Sequence, residues 1–137
     1  MREAATPILR YVTYLYSKLD ERDLLAFGLG DWCQPNRKNE GDHATPLVVT
    51  DSIVTADNLW KAMEIYDILG MAEQKDYVNA LYQRLRMAIR KELIDLEHAS
   101  VYGGTQTGQA IAIAYRMFEE DEIPNDVMKV IEVLEDY

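Results

Sequence analysis

Thr50-Asp51-Ser52-Ile53-Val54-Thr55-Ala56-Asp57-Asn58-Leu59-Trp60-Lys61-Ala62-Met63-Glu64-Ile65-Tyr66-Asp67-Ile68-Leu69-Gly70 is the stretch that decides the fold. Ile53, Ala56, Leu59, Trp60, Met63, Ile65, Tyr66 and Leu69 recur at spacings close to the helical period, so they form the buried side of one helix. Thr50-Asp51-Ser52 supplies side chains able to cap its start, and Gly70 can take the left-handed conformation that stops it. A further helix follows almost at once, from about Glu73 to Leu96, with Tyr77, Leu81, Leu85, Ala88, Ile89, Leu93 and Leu96 inward. A connection this short forces antiparallel neighbours, and the pair is an αα-hairpin.

Working outward, Thr6 and Pro7 read as the cap and first turn of an earlier helix that runs to about Asp20. Its Ile8, Leu9, Tyr11, Val12, Leu15, Tyr16 and Leu19 share one wide apolar face. Downstream, Tyr102-Gly103-Gly104-Thr105 is a turn, and Gln106 to Phe118 is a helix whose Ala110-Ile111-Ala112-Ile113-Ala114 predicts burial nearly all round. The acidic run Glu119-Glu120-Asp121-Glu122 reads as a solvated turn. Pro124 starts a last helix with Val127, Val130, Ile131 and Leu134 inward. Strand alternation is absent save for a short apolar run at Leu24 to Leu29, so the expected class is all-α, built of antiparallel helical hairpins.

Composition narrows the function classes. The chain has 137 residues, 48% of them hydrophobic and 28% charged, which is the balance of a folded domain. Its formal charge of -10 disfavours phosphate backbones and anionic lipid surfaces, so neither a nucleic acid nor a membrane is expected as partner. No apolar run reaches the roughly 20 residues of a membrane-spanning helix. One cysteine, Cys33, cannot form an internal disulfide and reads as a small half-buried hydrophobe. His43 and His98 lack carboxylates at ligand spacing, so no metal and no cofactor are expected.

The segment at about 23–50 is unlike the rest. Gly28-Leu29-Gly30-Asp31-Trp32 runs without helical periodicity into Gln34-Pro35-Asn36-Arg37-Lys38-Asn39-Glu40-Gly41-Asp42, a polar stretch rich in turn formers. A long loop in a small helical domain is uncommon unless it serves a function, which makes it the candidate site loop.

Gly28-Leu29-Gly30-Asp31-Trp32-Cys33-Gln34-Pro35 resembles the glycine-rich loop of the bacterial α-L-rhamnosidases. The likeness continues in order through Thr45-Pro46, the helix beginning Ile53-Val54-Thr55-Ala56-Asp57-Asn58-Leu59-Trp60, Ile68-Leu69-Gly70, and Tyr102-Gly103-Gly104-Thr105-Gln106-Thr107. It covers Ala26 to Pro124. The resemblance implies consecutive sectors of an (α/α)6 toroid, and hydrolysis of terminal α-L-rhamnosides with inversion. Inversion needs an acid and a base roughly 6.5 to 9.5 Å apart. The family's acidic motifs for those roles are not found here. The expectation is therefore one partial catalytic domain over residues 1–137, inactive by itself, with its catalytic carboxylates beyond this segment. Export of a longer parent would fit the family, and no leader is seen in these residues.

The candidate substrate-binding residues are Trp32, Asp31, Tyr102 and Gln106. Trp32 offers a rigid apolar face for the C–H face of a sugar, or a core anchor; substrate contact is favoured because glycines flank it. Asp31 can accept from ring hydroxyls or cap its own turn, and the two readings stand level. Gln106 can donate and accept, which suits sugar hydroxyls, although with Thr107 it sits where loose helix N–H groups need partners, and that structural role is slightly favoured. Tyr102 lines a pocket or packs on a wall. Glu97-His98 reads as an exposed helix end rather than a catalytic pair. Glu40, Asp42 and Asp51 read as loop or capping acids.

The expected partner is a rhamnose-containing glycoside, with self-association through apolar helix faces left uncovered in a partial toroid. The alternatives are a non-catalytic helical hairpin scaffold for protein interaction, or another (α/α) toroid glycosidase or lyase. A repeat scaffold should show a fixed period, and none is visible.

Overall fold

The computed structural model describes residues 2–30 and 44–123. A 3-10 turn over Arg2–Ala4 leads into α1, Ala5–Tyr16, and the chain then passes through α2, Leu47–Ile68, and α3, Ala72–Glu92. A ribbon of two short antiparallel strands follows, β1, Ile94–Asp95, and β2, Ser100–Val101, with Ile94 opposite Val101. Next come α4, Gln106–Ala114, and a 3-10 turn over Glu120–Glu122. The protein is all-α, with α2 and α3 as its dominant antiparallel hairpin.

The two helices of that hairpin bury differently. Along α3 the buried positions are Val78, Leu81, Tyr82, Leu85 and Ile89, a single stripe, so α3 is an outer helix with one face to solvent. Along α2 the buried set includes Val49, Ile53, Ala56, Leu59, Met63 and Tyr66, joined by Thr50, Ser52, Thr55 and Asp57 on other sides. A helix wrapped in this way lies inside. Gly70 ends the hairpin turn at φ +67: its N–H reaches Asp67 O at 3.0 Å and that of Met71 reaches Tyr66 O at 2.9 Å. This is the C-terminal closure that the glycine predicts.

Several boundaries differ from the sequence reading. α1 stops at Tyr16 rather than Asp20, because Asp20 turns the chain instead: its carboxylate accepts from the N–H groups of Arg22 and Leu24 at 2.8 and 3.0 Å. Thr6 does not cap α1, which starts one residue before it with no side-chain cap, and Tyr11 is 52% exposed. α2 starts at Leu47 with Pro46 at its cap, so Thr50, Asp51 and Ser52 lie within the helix and are not its cap. α3 ends at Glu92 because the chain from Leu93 folds into the ribbon, with Leu96 exposed at its tip, and Tyr77 is exposed where Val78 is buried. α4 ends at Ala114 rather than Phe118, and its Ala110 and Ala114 are exposed, so burial is not all round. No strand forms at Leu24 to Leu29. The expected helix from Pro124 lies outside the described residues.

Candidate functional site

The segment ahead of α2 is pinned from below. Leu24 and Leu25 are essentially fully buried. Each such side chain contributes on the order of 1.5–3 kcal/mol, enough to anchor the base of the loop. Hydrophobic burial is not directional, and polar contacts set the path. Ser52 Oγ accepts from Leu25 N–H at 2.9 Å and donates to Leu25 O at 3.2 Å, satisfying both backbone groups of a buried residue. One position earlier on α2, Asp51 Oδ2 accepts from Gly28 N–H at 2.6 Å. A Cβ at residue 28 would lie 2.6 Å from Asp51 Oδ1, so the carboxylate occupies the space a side chain would need. Gly30 follows at φ +66, a conformation that glycine adopts without strain. The chain then enters Asp31 and Trp32. Those two candidates, like His43 and Cys33, lie outside the described residues.

The turn ahead of α4 comes to the same end of the molecule. Gly103 at φ +89 lies against Pro46, whose ring would stand 2.6 Å from a Cβ there, and Gly104 follows at φ +60. Thr105 is the cap of α4: its Oγ1 accepts from Gly108 N–H at 3.1 Å. The same oxygen is 2.9 Å from Thr45 Oγ1, next to the proline that opens α2. The N-termini of α2 and α4 are thus joined side by side, with their partial positive charges at one end. Gln109 ties the turn to the ribbon, donating to Ala99 O at 2.7 Å and accepting from Val101 N–H at 3.2 Å.

Of the four sequence candidates, Tyr102 and Gln106 are placed on this turn and on the first turn of α4, both exposed. The capping that the sequence allowed for Gln106 and Thr107 falls to Thr105. Asp51, Ser52 and Thr45 were not singled out as site residues. Their signal was Pro46, which opens a helix and thereby moves Asp51 and Ser52 into its second turn, facing sideways.

Other polar groups serve the scaffold. His98 Nδ1 is 2.8 Å from Asp95 Oδ2, and Asp95 also accepts from the N–H groups of Glu97 and His98, so His98 pairs with a turn carboxylate and not with Glu97. The acidic run is latched: Arg86 reaches Glu119 and Arg90 reaches Glu122, each also donating to a backbone carbonyl of the α4 exit. Asp57, 4% exposed, is paired with Lys61 and lies 3.5 Å from Arg116 Nη1. Among the described residues no cluster of His, Cys, Asp and Glu could hold a metal ion, and no helix is long and apolar enough to cross a membrane.

Residues 1–136 match the family model described as the bacterial alpha-L-rhamnosidase 6 hairpin glycosidase domain. Searches of curated proteins and of solved structures returned no significant match.

Proposed function

Because this chain belongs to the bacterial α-L-rhamnosidase six-hairpin glycosidase family, we propose that it supplies sugar-positioning loops to a glycoside hydrolase that removes terminal α-L-rhamnosides with inversion. The observation that carries this reading is the convergence of two loops at one end of the inner helices. The loop running through Gly28 and Gly30 and the turn holding Tyr102 and Gln106 are joined through Thr45 and Thr105. Hydrolases on helical-hairpin scaffolds need such loops because the helices themselves present few polar groups to a substrate.

In this reading Trp32 packs on the apolar face of the sugar and Asp31 accepts from its hydroxyls, while Gln106 and Tyr102 border the site from the second loop. The general acid and base, separated by roughly 6.5 to 9.5 Å in an inverting site, come from outside these residues, and the isolated chain does not turn over substrate. Exposed Tyr11, Tyr14, Phe27, Ile68 and Met87 favour self-association of the isolated chain, measurable by sedimentation.

The test is hydrolysis of an aryl α-L-rhamnoside by the complete polypeptide carrying this segment, with the sugar product followed by NMR. The expected first product is the β-anomer. An untouched rhamnoside alongside cleavage of another glycoside would overturn the substrate, and the α-anomer appearing first would overturn inversion.

A further inference from the structure

We propose that the cleft beside the ribbon, bordered by Tyr102, Ser100 and the carboxylates of Glu92 and Asp95, is a subsite for a neutral sugar unit joined to the rhamnosyl group. The inference rests on the rhamnosidase reading above and adds the aglycone side of the substrate to it. The cleft has a volume of about 300 Å³, the size class of pockets for small ligands. It lies along the paired residues Ile94 and Val101, on the ribbon side of the turn that carries Tyr102 and Gln106.

Single exposed aromatic side chains are common and need no explanation. Tyr102 differs because it is 59% exposed and yet stands on a backbone fixed from both sides. Its N–H donates to Leu93 O at 2.8 Å, which extends the ribbon by one bond. On the other side Gly104 N–H donates to Val101 O at 3.0 Å, and Gly103 is packed against Pro46 at the start of α2. Gln109 holds the ribbon to α4 through Ala99 O and Val101 N–H. An aromatic residue on so fixed a backbone loses little freedom on binding, which suits it to the C–H face of a sugar.

The polar groups select the ligand. Ser100 offers a hydroxyl that both donates and accepts. Glu92 gives Oε1 to Lys91 at 2.7 Å, while Oε2 takes no partner among the described residues and is open to a sugar hydroxyl. Asp95 is engaged by His98 and by two turn N–H groups, so it adds charge to the wall rather than a free acceptor. Lys91 offsets one of the two carboxylates, and His98 offsets the other only when protonated. In a chain of net charge -10 such a wall repels an acidic sugar and favours a neutral one.

The experiment titrates methyl β-D-glucoside, methyl β-D-glucuronide and L-rhamnose separately into the 137-residue chain, followed by its amide and tyrosine-ring NMR signals. The glucoside should shift amides within residues 92–104, and Tyr102→Ala should weaken its binding about tenfold while Tyr102→Phe stays near wild type. The melting temperature of Tyr102→Ala should hold, because the bonds that fix this residue are made by its backbone. Ser100→Ala, which alters no backbone group, gives a second reading and should weaken the glucoside about threefold. At low salt the glucuronide should bind about fivefold more weakly than the glucoside, a gap that Glu92→Gln narrows. Glucoside shifts absent from residues 92–104, unchanged affinity in both Tyr102→Ala and Ser100→Ala, or equal affinity for the two glucosides would each overturn the proposal. L-rhamnose separates the two readings. Rhamnose binding with an undisturbed ribbon in glucoside removes the subsite and leaves the rhamnosidase reading standing. Glucoside binding in the cleft without any rhamnose binding keeps the neutral-sugar site, and the rhamnosidase reading is what fails.

Discussion

The hydroxyls of Thr45 and Thr105 lie 2.9 Å apart and join the starts of two helices that are 60 residues distant in sequence. Thr105 also caps α4 through Gly108 N–H, so one oxygen serves both the local and the long-range contact. Thr105→Ala removes both at once. The expected loss is about 1 to 2 kcal/mol in urea unfolding, with Thr105→Ser nearly neutral. Equal stability of Thr105→Ala and wild type would show that neither contact matters.

Tyr66 ties α1 to α2. Its ring is fully buried, and its hydroxyl donates to Ala5 O at 2.7 Å. Burial raises its pKa, so the donor stays protonated well into the alkaline range. Tyr66→Phe keeps the packing and removes one hydrogen bond to the carbonyl of Ala5, which should cost about 1 kcal/mol. The check is chemical denaturation together with amide exchange in α1, which should quicken more than exchange in α3.

What the sequence makes legible follows from where the physics is local. Gly70 at the end of α2 and the αα-hairpin it closes are readable because periodicity and a left-handed glycine act within a few residues. The phase of α3 was harder: Tyr77 and Val78 are adjacent and both apolar, and only the packed neighbours decide that Val78 faces inward. The ribbon at Ile94 to Val101 was missed because its turn depends on Asp95 bonding two N–H groups, whereas Leu93 and Leu96 continue a helical spacing. Asp51 and Ser52 looked like a cap in one dimension, and their actual partners, Gly28 and Leu25, lie 23 and 27 residues away. The glycine-rich loop itself was visible as a resemblance, and the side chains that hold it were not.

Arg116 presents a strained backbone with compensating contacts. It sits at φ +66 in the closing turn of α4, where Met117 N–H reaches Ala112 O at 2.8 Å, a place that favours glycine. Its guanidinium lies 4.7 Å from the Trp60 ring centre and 3.5 Å from buried Asp57. Arg116→Gly relieves roughly 1 kcal/mol of strain and gives up a cation–π contact of similar size, so stability should stay within about 1 kcal/mol of wild type. Asp57→Ala should cost more than Arg116→Gly, because it removes the buried carboxylate that pairs with both Lys61 and Arg116, although these two exposed cations can turn to solvent. Thermal denaturation of the two variants separates these outcomes, and an Asp57→Ala protein as stable as Arg116→Gly would contradict the assignment.

Among the described residues the strongest acid dependence comes from Glu122. Arg90 grips it with two nitrogens at 2.6 and 2.7 Å, and it also accepts from Glu119 N–H at 2.7 Å. The Arg90 hydrogen bonds, against a smaller opposing effect of burial, lower its pKa from 4.5 to about 2. A carboxylate depressed in the folded state adds stability that is complete above its unfolded pKa and is lost as pH falls toward the folded one. Here the window runs from about pH 4.5 down to about pH 2. Both side chains are about a fifth exposed, so solvent screening reduces the contribution to about 1 to 2 kcal/mol. Asp95, held low by its hydrogen bonds with His98, acts in the same direction. So does Asp20, where the N–H groups of Leu24 and Arg22 outweigh the upward push of burial. Glu122→Gln should therefore flatten part of the stability profile between pH 4.5 and 2 without abolishing it, and should lower stability at pH 7 by a similar amount. Urea unfolding at a series of pH values checks this, and parallel profiles for wild type and Glu122→Gln would remove Glu122 as the source.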